Sequence, residues 1–538
     1  VTNVGTAALK LDLLDGLPIV IRFGINDWLL KDINRTAEAW MAVTNLENDV
    51  PFYRVQASVG DEVQVEAVEA GNFYLAFADG PGLPGLGRFV DPIIVFGTNT
   101  ALSFPDRFLA HPLAELQTMR QITVGRTPCG MGSATATLAP GEAMTLYAIV
   151  GHASDVALIN RARGRLSQPA YIAAKRTEAQ ALARSLSDPI ATQTSDPRFD
   201  AYCRQSLLDN TLRGGWPVRL GRHIYHLYGR KHGDLERDYN AFYLAPEFYS
   251  QGNANYRDVA QNRRSNVLLK PAIGDFDVLA FLGLIQADGY NPLVVNGSRF
   301  TVPPDRQGDI LKLARQPADL AILLGRPFTP GGLLQAVTDR GIGLTVSPQE
   351  FIAAVLTQAD ASFEATFGEG YWVDHWFYIL DLLDGYLAVY PDHQDELLFG
   401  KPVAPYFDSP AFVQPRAAKT VLADHGKVRQ YGAGIVDDEK AALIAARRQT
   451  PNLARTAHVV GEVYRTTVFA KLLGLAGVKV APPPPLGLGV EIGAGKPGGG
   501  DGLQRTPRPL WPLFAQADKP GRVCGFSLCD VAARGAGA

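Results

Sequence analysis

Among its 538 residues the chain has only four cysteines, Cys129, Cys203, Cys524 and Cys529, and no two of them form a CxxC pair. This scarcity excludes a disulfide framework or a thiolate zinc cluster and fits a reducing, cytoplasmic setting. No run of eighteen apolar residues occurs, so no membrane-spanning helix is expected. Neither sign of charge dominates: 51 Lys and Arg stand against 54 Asp and Glu. A net charge of -3 gives no electrostatic basis for a nucleic-acid partner or an anionic membrane surface. HExxH and GxSxG are both missing, and the nine histidines show no metal-ligand spacing, so neither a metal site nor a serine elbow is expected. The stretch VEIGAGKPGGGDG looks like a phosphate loop, but Pro497 follows Lys496 where Ser or Thr is required, which argues against a nucleotide.

What is present is 46% hydrophobic sequence, enough for two or more substantial cores. Residues 1–152 read as strands and turns. LPIVIRF, FYRVQASVG, and the pair SATATL and AMTLYAIVG about a Pro-Gly turn are short and rich in β-branched or aromatic residues. A β-sandwich packages such strands. Residues 153–195, with DVALINRARGRL and AYIAAKRTEAQALARSL, carry apolar residues at three- and four-residue intervals and predict linker helices. From 196 to 498 the segments SLLDNTLRGG, DFDVLAFLGLIQADGY, LLQAVTDRGI, FIAAVLTQA, WFYILDLLDGYLAVY and VGEVYRTTVFAKLLGLAG predict an all-helical domain with long polar loops. Helix hairpins closed into a barrel would gather those loops at one mouth. Beyond 498 the apolar period fades, and 499–538 reads as an irregular tail.

The chemistry concentrates in two places. Between Tyr225 and Asn266 lie His226, His232, Asp234, Glu236, Asp238, Glu247 and Asp258 among arginines and tyrosines. Aromatic rings beside carboxylates and amides suit a sugar, whose CH faces stack and whose hydroxyls pair with charged groups. Desolvating such charges is costly unless they are paired, so the bland reading is a polar loop held by ion pairs. Within the stretch QGNANYRDVAQNRRSN, Asp258 is the candidate general acid. Arg257, Arg263 and Arg264 would lower its pKa if they paired with it, so an acid role requires burial or a neighbouring carboxylate. The second place is FGEGYWVDHWFYILDLLDGY, where Trp372, Asp374, His375 and Trp376 precede or open a helix; a structural aromatic patch is the plain alternative.

YRDVAQN, Tyr256 to Asn262, resembles the RDSNQD segment of the cellobiose phosphorylase family, glycoside hydrolase family ninety-four. The longer run QGNANYRDVAQNRR is similar to its large 1,2-β-oligoglucan phosphorylase branch. By this resemblance Asp258 protonates the glycosidic oxygen. Arg257 and Gln261 match neighbours expected to shape the sugar site, and Tyr256, Asn262, Arg263, Trp372, Asp374 and His375 are the further candidate substrate contacts. The implied architecture is a β-sandwich, linker helices and an (α/α)6 barrel, in this order. The implied partners are a β-glucooligosaccharide and inorganic phosphate as co-substrate, without a cofactor, and a homodimer is the assembly common among relatives. GAGKPG, Gly493 to Gly498, matches a barrel element of the family, but the residues after Gly498 depart from the family pattern. The barrel is therefore expected to be incomplete at its C-terminus, as from a truncated or shifted reading frame.

Two rivals remain open from the sequence. An inverting hydrolase needs a second carboxylate, for which Asp374 is the candidate, and acts without phosphate. A glycan-binding protein would keep the aromatic contacts and show no turnover.

Overall fold

The computed structural model describes residues 1–23, 36–57, 63–64, 67–80, 85–232, 242–367, 375–415, 417–418, 420–430, 434–447, 450–457 and 459–480, with backbone alone at some of them, including His375. The chain divides into two compact units, Val1–Leu186 and Ser187 onward, so the division falls inside the segment expected to be a linker.

The first unit holds two antiparallel sheets. One has the order β1-β6-β5, from Leu9–Leu17, Gly130–Leu138 and Gly87–Phe89. The other runs β2-β3-β4-β7, from Met41–Thr44, Phe52–Val55, Gly71–Asp79 and Thr145–Ala153. Tyrosine hydroxyls tie one sheet to the other: Tyr74 on β4 donates to the Asp15 carbonyl at 3.0 Å, and Tyr53 on β3 to the Cys129 carbonyl at 3.0 Å. Met41, Val43, Val55 and Ala76 of the second sheet form an apolar cluster with Val90, just past β5. The expected strands are present with two corrections. SATATL and AMTLYAIVG do not pair with each other: β6 pairs with β1 and β5, while β7 pairs with β4, so the Pro-Gly turn carries the chain from one sheet to the other. LPIVIRF is not a strand beyond Leu17. Its alternation is real, with Val20 and Arg22 buried and Ile19 and Ile21 exposed, but Pro18 has no N–H to donate. Two helices come next, α1 at Val156–Leu166, capped by the Asp155 carboxylate, and α2 at Pro169–Ser187.

The second unit is mixed rather than all-helical. It opens with α3 at Pro197–Gly214, then a hairpin of β8, Trp216–Leu220, and β9, His223–Leu227. Gly221 takes φ +57 in the two-residue turn between them, and a Cβ there would stand 2.5 Å from the Thr357 amide nitrogen. Next come β10, Ala254–Asn255, and two helices, α4 at Tyr256–Arg263 and α5 at Phe276–Gly283. β11, Val294–Thr301, lies between β10 and β12, Asp360–Thr366, in an antiparallel sheet. VVNGSRFT buries residues at near-alternate positions, with a register break at Gly297, and this strand period escaped the helical reading.

Between β11 and β12 lie α6 at Pro317–Leu324, α7 at Pro330–Asp339 and α8 at Pro348–Gln358. Their apolar faces join Tyr225, Phe300 and Phe328 in a core of their own. The other core gathers α4, α5, α9 at His375–Val389 and α10 at Val468–Val480, through Val259, Phe281, Leu380, Leu383, Leu472 and Leu475. Lys471 is fully buried there; its ammonium donates to the Ile285 carbonyl at 2.9 Å and to that of Pro405, and lies 4.3 Å from the Tyr406 ring centre. Among the described residues no helix is long and apolar enough to cross a membrane. The chain is thus a multidomain protein of antiparallel sheets and helices.

Candidate functional site

The stretch from Gln251 to Asn266, for which the bland reading is a polar loop, builds a core helix. Ala254 and Asn255 pair with Val295 and Val294, and the Tyr256 amide donates to the Leu293 carbonyl at 2.9 Å, so α4 starts from a sheet. The Asn255 side chain then accepts from the Arg257 amide at 3.1 Å and caps the helix. From there the 3.6-residue period sorts the side chains. Tyr256, Val259, Ala260 and Arg263 are buried, Arg257, Gln261 and Arg264 are exposed, and Asp258 and Asn262 sit between.

The buried face is anchored by polar contacts as well as packing. The Tyr256 hydroxyl donates to the Phe281 carbonyl at 3.1 Å. Arg263, only 3% exposed, turns inward: its Nε donates to the Gly214 carbonyl at 2.8 Å and its Nη2 to the Tyr228 hydroxyl at 3.2 Å. Its guanidinium lies 5.6 Å from the centre of the Phe281 ring. Asp277 Oδ1 lies 3.7 Å from Arg263 Nη1 and 3.6 Å from His226 Nε2, and Asn266 Nδ2 reaches Asp277 Oδ2 at 3.4 Å. Burial pushes the Asp277 carboxyl up to about 6, against the pull of Arg263 and Asn266. Burial, with Arg263 adding to it, pushes the His226 imidazole well down.

On the accessible side stands Asp258, its side chain 26% exposed. Arg257 Nε donates to its Oδ1 at 2.9 Å, and His232 Nε2 lies 3.6 Å from its Oδ2. Partial burial raises the carboxyl, but His232 and Arg257 outweigh it and hold Asp258 below its ordinary value. Of the three arginines that sequence set beside Asp258, Arg257 pairs with it, while Arg263 faces the opposite way into the core. Arg257, Asp258, Gln261 and Asn262 thus share the strip of α4 that solvent reaches. Tyr256 and Arg263 lie beneath it.

The helical part of the second predicted cluster meets the first only through the core, where Leu380 and Leu383 of α9 share a cluster with Val259 of α4 among the described residues. Trp372 and Asp374 lie outside the described residues; His375 is the first residue of α9, and its side chain is likewise not described. Asp234, Glu236 and Asp238 also lie outside them. Glu247 serves a different element: the hydroxyl of Thr329, the cap of α7, donates to it at 2.7 Å.

Sequence reading missed two partners. His232 was one charge in a polar run, 26 positions from Asp258, with no spacing to connect them. Asp277 resembled an ordinary acid in the first turn of a helix, and nothing local reveals that it is buried. Among the described residues no group of three or more His, Cys, Asp or Glu is placed to hold a metal ion.

A scan against known family models finds no match to the chain, and a search of the curated proteins finds none either.

The arrangement offers a half-buried carboxyl with one oxygen held by a guanidinium, flanked by two amides, on a helix whose back is fixed in the core. Such a group can give or take a proton at a substrate oxygen, and the amides can bind hydroxyls.

Proposed function

We propose that the chain is an inverting glycoside phosphorylase acting on β-linked glucooligosaccharides, with Asp258 as its general acid. The observation that carries this reading is the accessible strip of α4: a carboxyl, Asp258, bonded by Arg257 and sharing that strip with Gln261 and Asn262. The helices α3, α4, α5, α9 and α10 are read as part of an (α/α)6 barrel, with Asp258 at its mouth.

Inorganic phosphate attacks the anomeric carbon from the face opposite the bond that Asp258 protonates, giving α-glucose 1-phosphate and a shortened acceptor. Because phosphate replaces the base-activated water of an inverting hydrolase, one protein carboxyl suffices. Asp258 rests ionised, held below its ordinary value by His232 and Arg257 against the effect of burial. Exclusion of water by the sugar and the negative charge of phosphate both favour its protonated form, so the acid is armed only when both substrates are bound. Arg257 then has a second anion to face.

The test is phosphate-dependent release of glucose 1-phosphate from β-1,2-, β-1,3- and β-1,4-linked glucooligosaccharides. Release that requires phosphate and falls by ~10²- to 10⁴-fold in Asp258→Asn is expected. Sugar release without phosphate would establish a hydrolase instead, and no turnover from folded protein would leave a glycan-binding protein.

A further inference from the structure

Resting on the phosphorolytic role of Asp258, we propose that His232 is its positioning residue: the imidazole steers the Oδ2 edge of the carboxyl group while Arg257 holds Oδ1, presenting the acid in one orientation. His232 is 2% exposed, and its Nε2 is aimed at Asp258 Oδ2 from 3.6 Å. That is just past hydrogen-bonding range, and a shift of roughly 0.5 Å brings the pair within it. The ring is held independently of Asp258. Phe242 packs edge-on at 5.0 Å between ring centres, and two residues upstream Arg230 binds Asp209 of α3 at 2.8 Å.

The other ring nitrogen, Nδ1, is buried without a hydrogen-bond partner among the described residues. A proton on Nδ1 would be a buried, unpaired donor, whereas a bare lone pair there costs less. The arrangement therefore favours the tautomer with its proton on Nε2, directed at Asp258. Arg257, with its side chain 44% exposed, makes the charge-assisted bond to Oδ1, which leaves Oδ2 as the oxygen that carries the catalytic proton. The geometry divides the labour: the guanidinium fixes the ionised oxygen, and the imidazole sets the angle of the protonated one.

The test compares His232→Leu, which removes the donor, with His232→Gln, whose amide nitrogen reaches the place of Nε2. In phosphorolysis, kcat for the Leu variant is expected to fall ~10- to 100-fold with KM for phosphate little changed, and Gln is expected to recover most of the loss. The alkaline limb of the Leu variant's pH profile, where the general acid loses its proton, should move up. A second readout needs no turnover: the carboxyl ¹³C signal of Asp258, assigned by its loss in Asp258→Asn, should titrate at higher pH in the Leu variant than in the wild type. An unchanged kcat and an unchanged titration in a folded Leu variant would overturn the proposal. If the Leu variant does not fold, Gln against Asn, which falls short of Asp258, makes the same comparison. Absence of phosphorolysis in the wild type would overturn the functional reading alone, since the titration still decides the His232–Asp258 pairing.

Discussion

Arg263 carries more of the second unit's stability than its neighbours on α4 because its charge is satisfied only by groups inside the protein. Removing it leaves Asp277 buried beside His226 with no cation, and breaking such a pair costs about 3–5 kcal/mol. Arg263→Ala is therefore expected to lower the urea midpoint sharply, whereas Arg264→Ala, at an exposed position, should change it little. Asp277 gives the same network a pH signature. Its folded pKa, about 6, lies above the ordinary 3.8, so its contribution is fully present below pH 3.8 and is lost as pH rises through about 6. Wild-type stability should fall relative to Asp277→Asn over that window, measured by urea unfolding at each pH, and parallel profiles would contradict the assignment. Asp258 has the opposite sign: held low by His232 and Arg257, it stabilises above the ordinary carboxylate range and ceases to do so as pH falls through its lowered value.

At the scale of elements, α4 is a short helix and depends on its cap. Asn255→Ala removes the acceptor for the Arg257 amide and should cost about 1 kcal/mol, with a matching loss of activity because Asp258 is in the first turn. Gly221→Ala tests the β8–β9 hairpin. The new methyl group would meet the backbone of α8 at Thr357 and Leu356, in a turn whose φ of +57 already disfavours side chains. A loss larger than that of the cap variant is expected, read by the same unfolding assay. Elements with a clean period were legible in the sequence: α1, α2, α7, α8 and α9 lie where apolar spacing put them. Those misread share a physical cause. α4 buries an arginine, so a hydropathy scan scores its inner face as polar, and β11 breaks its alternation at Gly297. Partners such as His232 and Asp277 meet α4 only through tertiary contacts, which no local pattern encodes.

Across the whole molecule, one cluster of the first unit gathers Tyr53, Tyr74 and Met41, and the two of the second unit gather Phe281 and Phe351. Chains built from separate cores seldom unfold in one step, so calorimetry is expected to resolve more than one transition. The broad order of the chain, sheets first and helices after, could be read from composition alone. The crossing of β6 and β7 into opposite sheets could not, because a Pro-Gly turn specifies a reversal and not which sheet receives the returning strand.

The Tyr53 bond to Cys129 has a practical consequence. The carbonyl that accepts this hydroxyl belongs to a residue whose thiol is itself buried and faces the Phe89 carbonyl at 3.4 Å, and burial raises its pKa. A sulfhydryl held in that way is a fuse: silent to alkylating reagents while the sheets stay together, and spent the moment they part. Cys203, only half-buried, offers a faster reference in the second unit. Following alkylation of the Cys129 peptide by mass spectrometry against that of Cys203 would therefore time the parting of the two sheets in the intact chain.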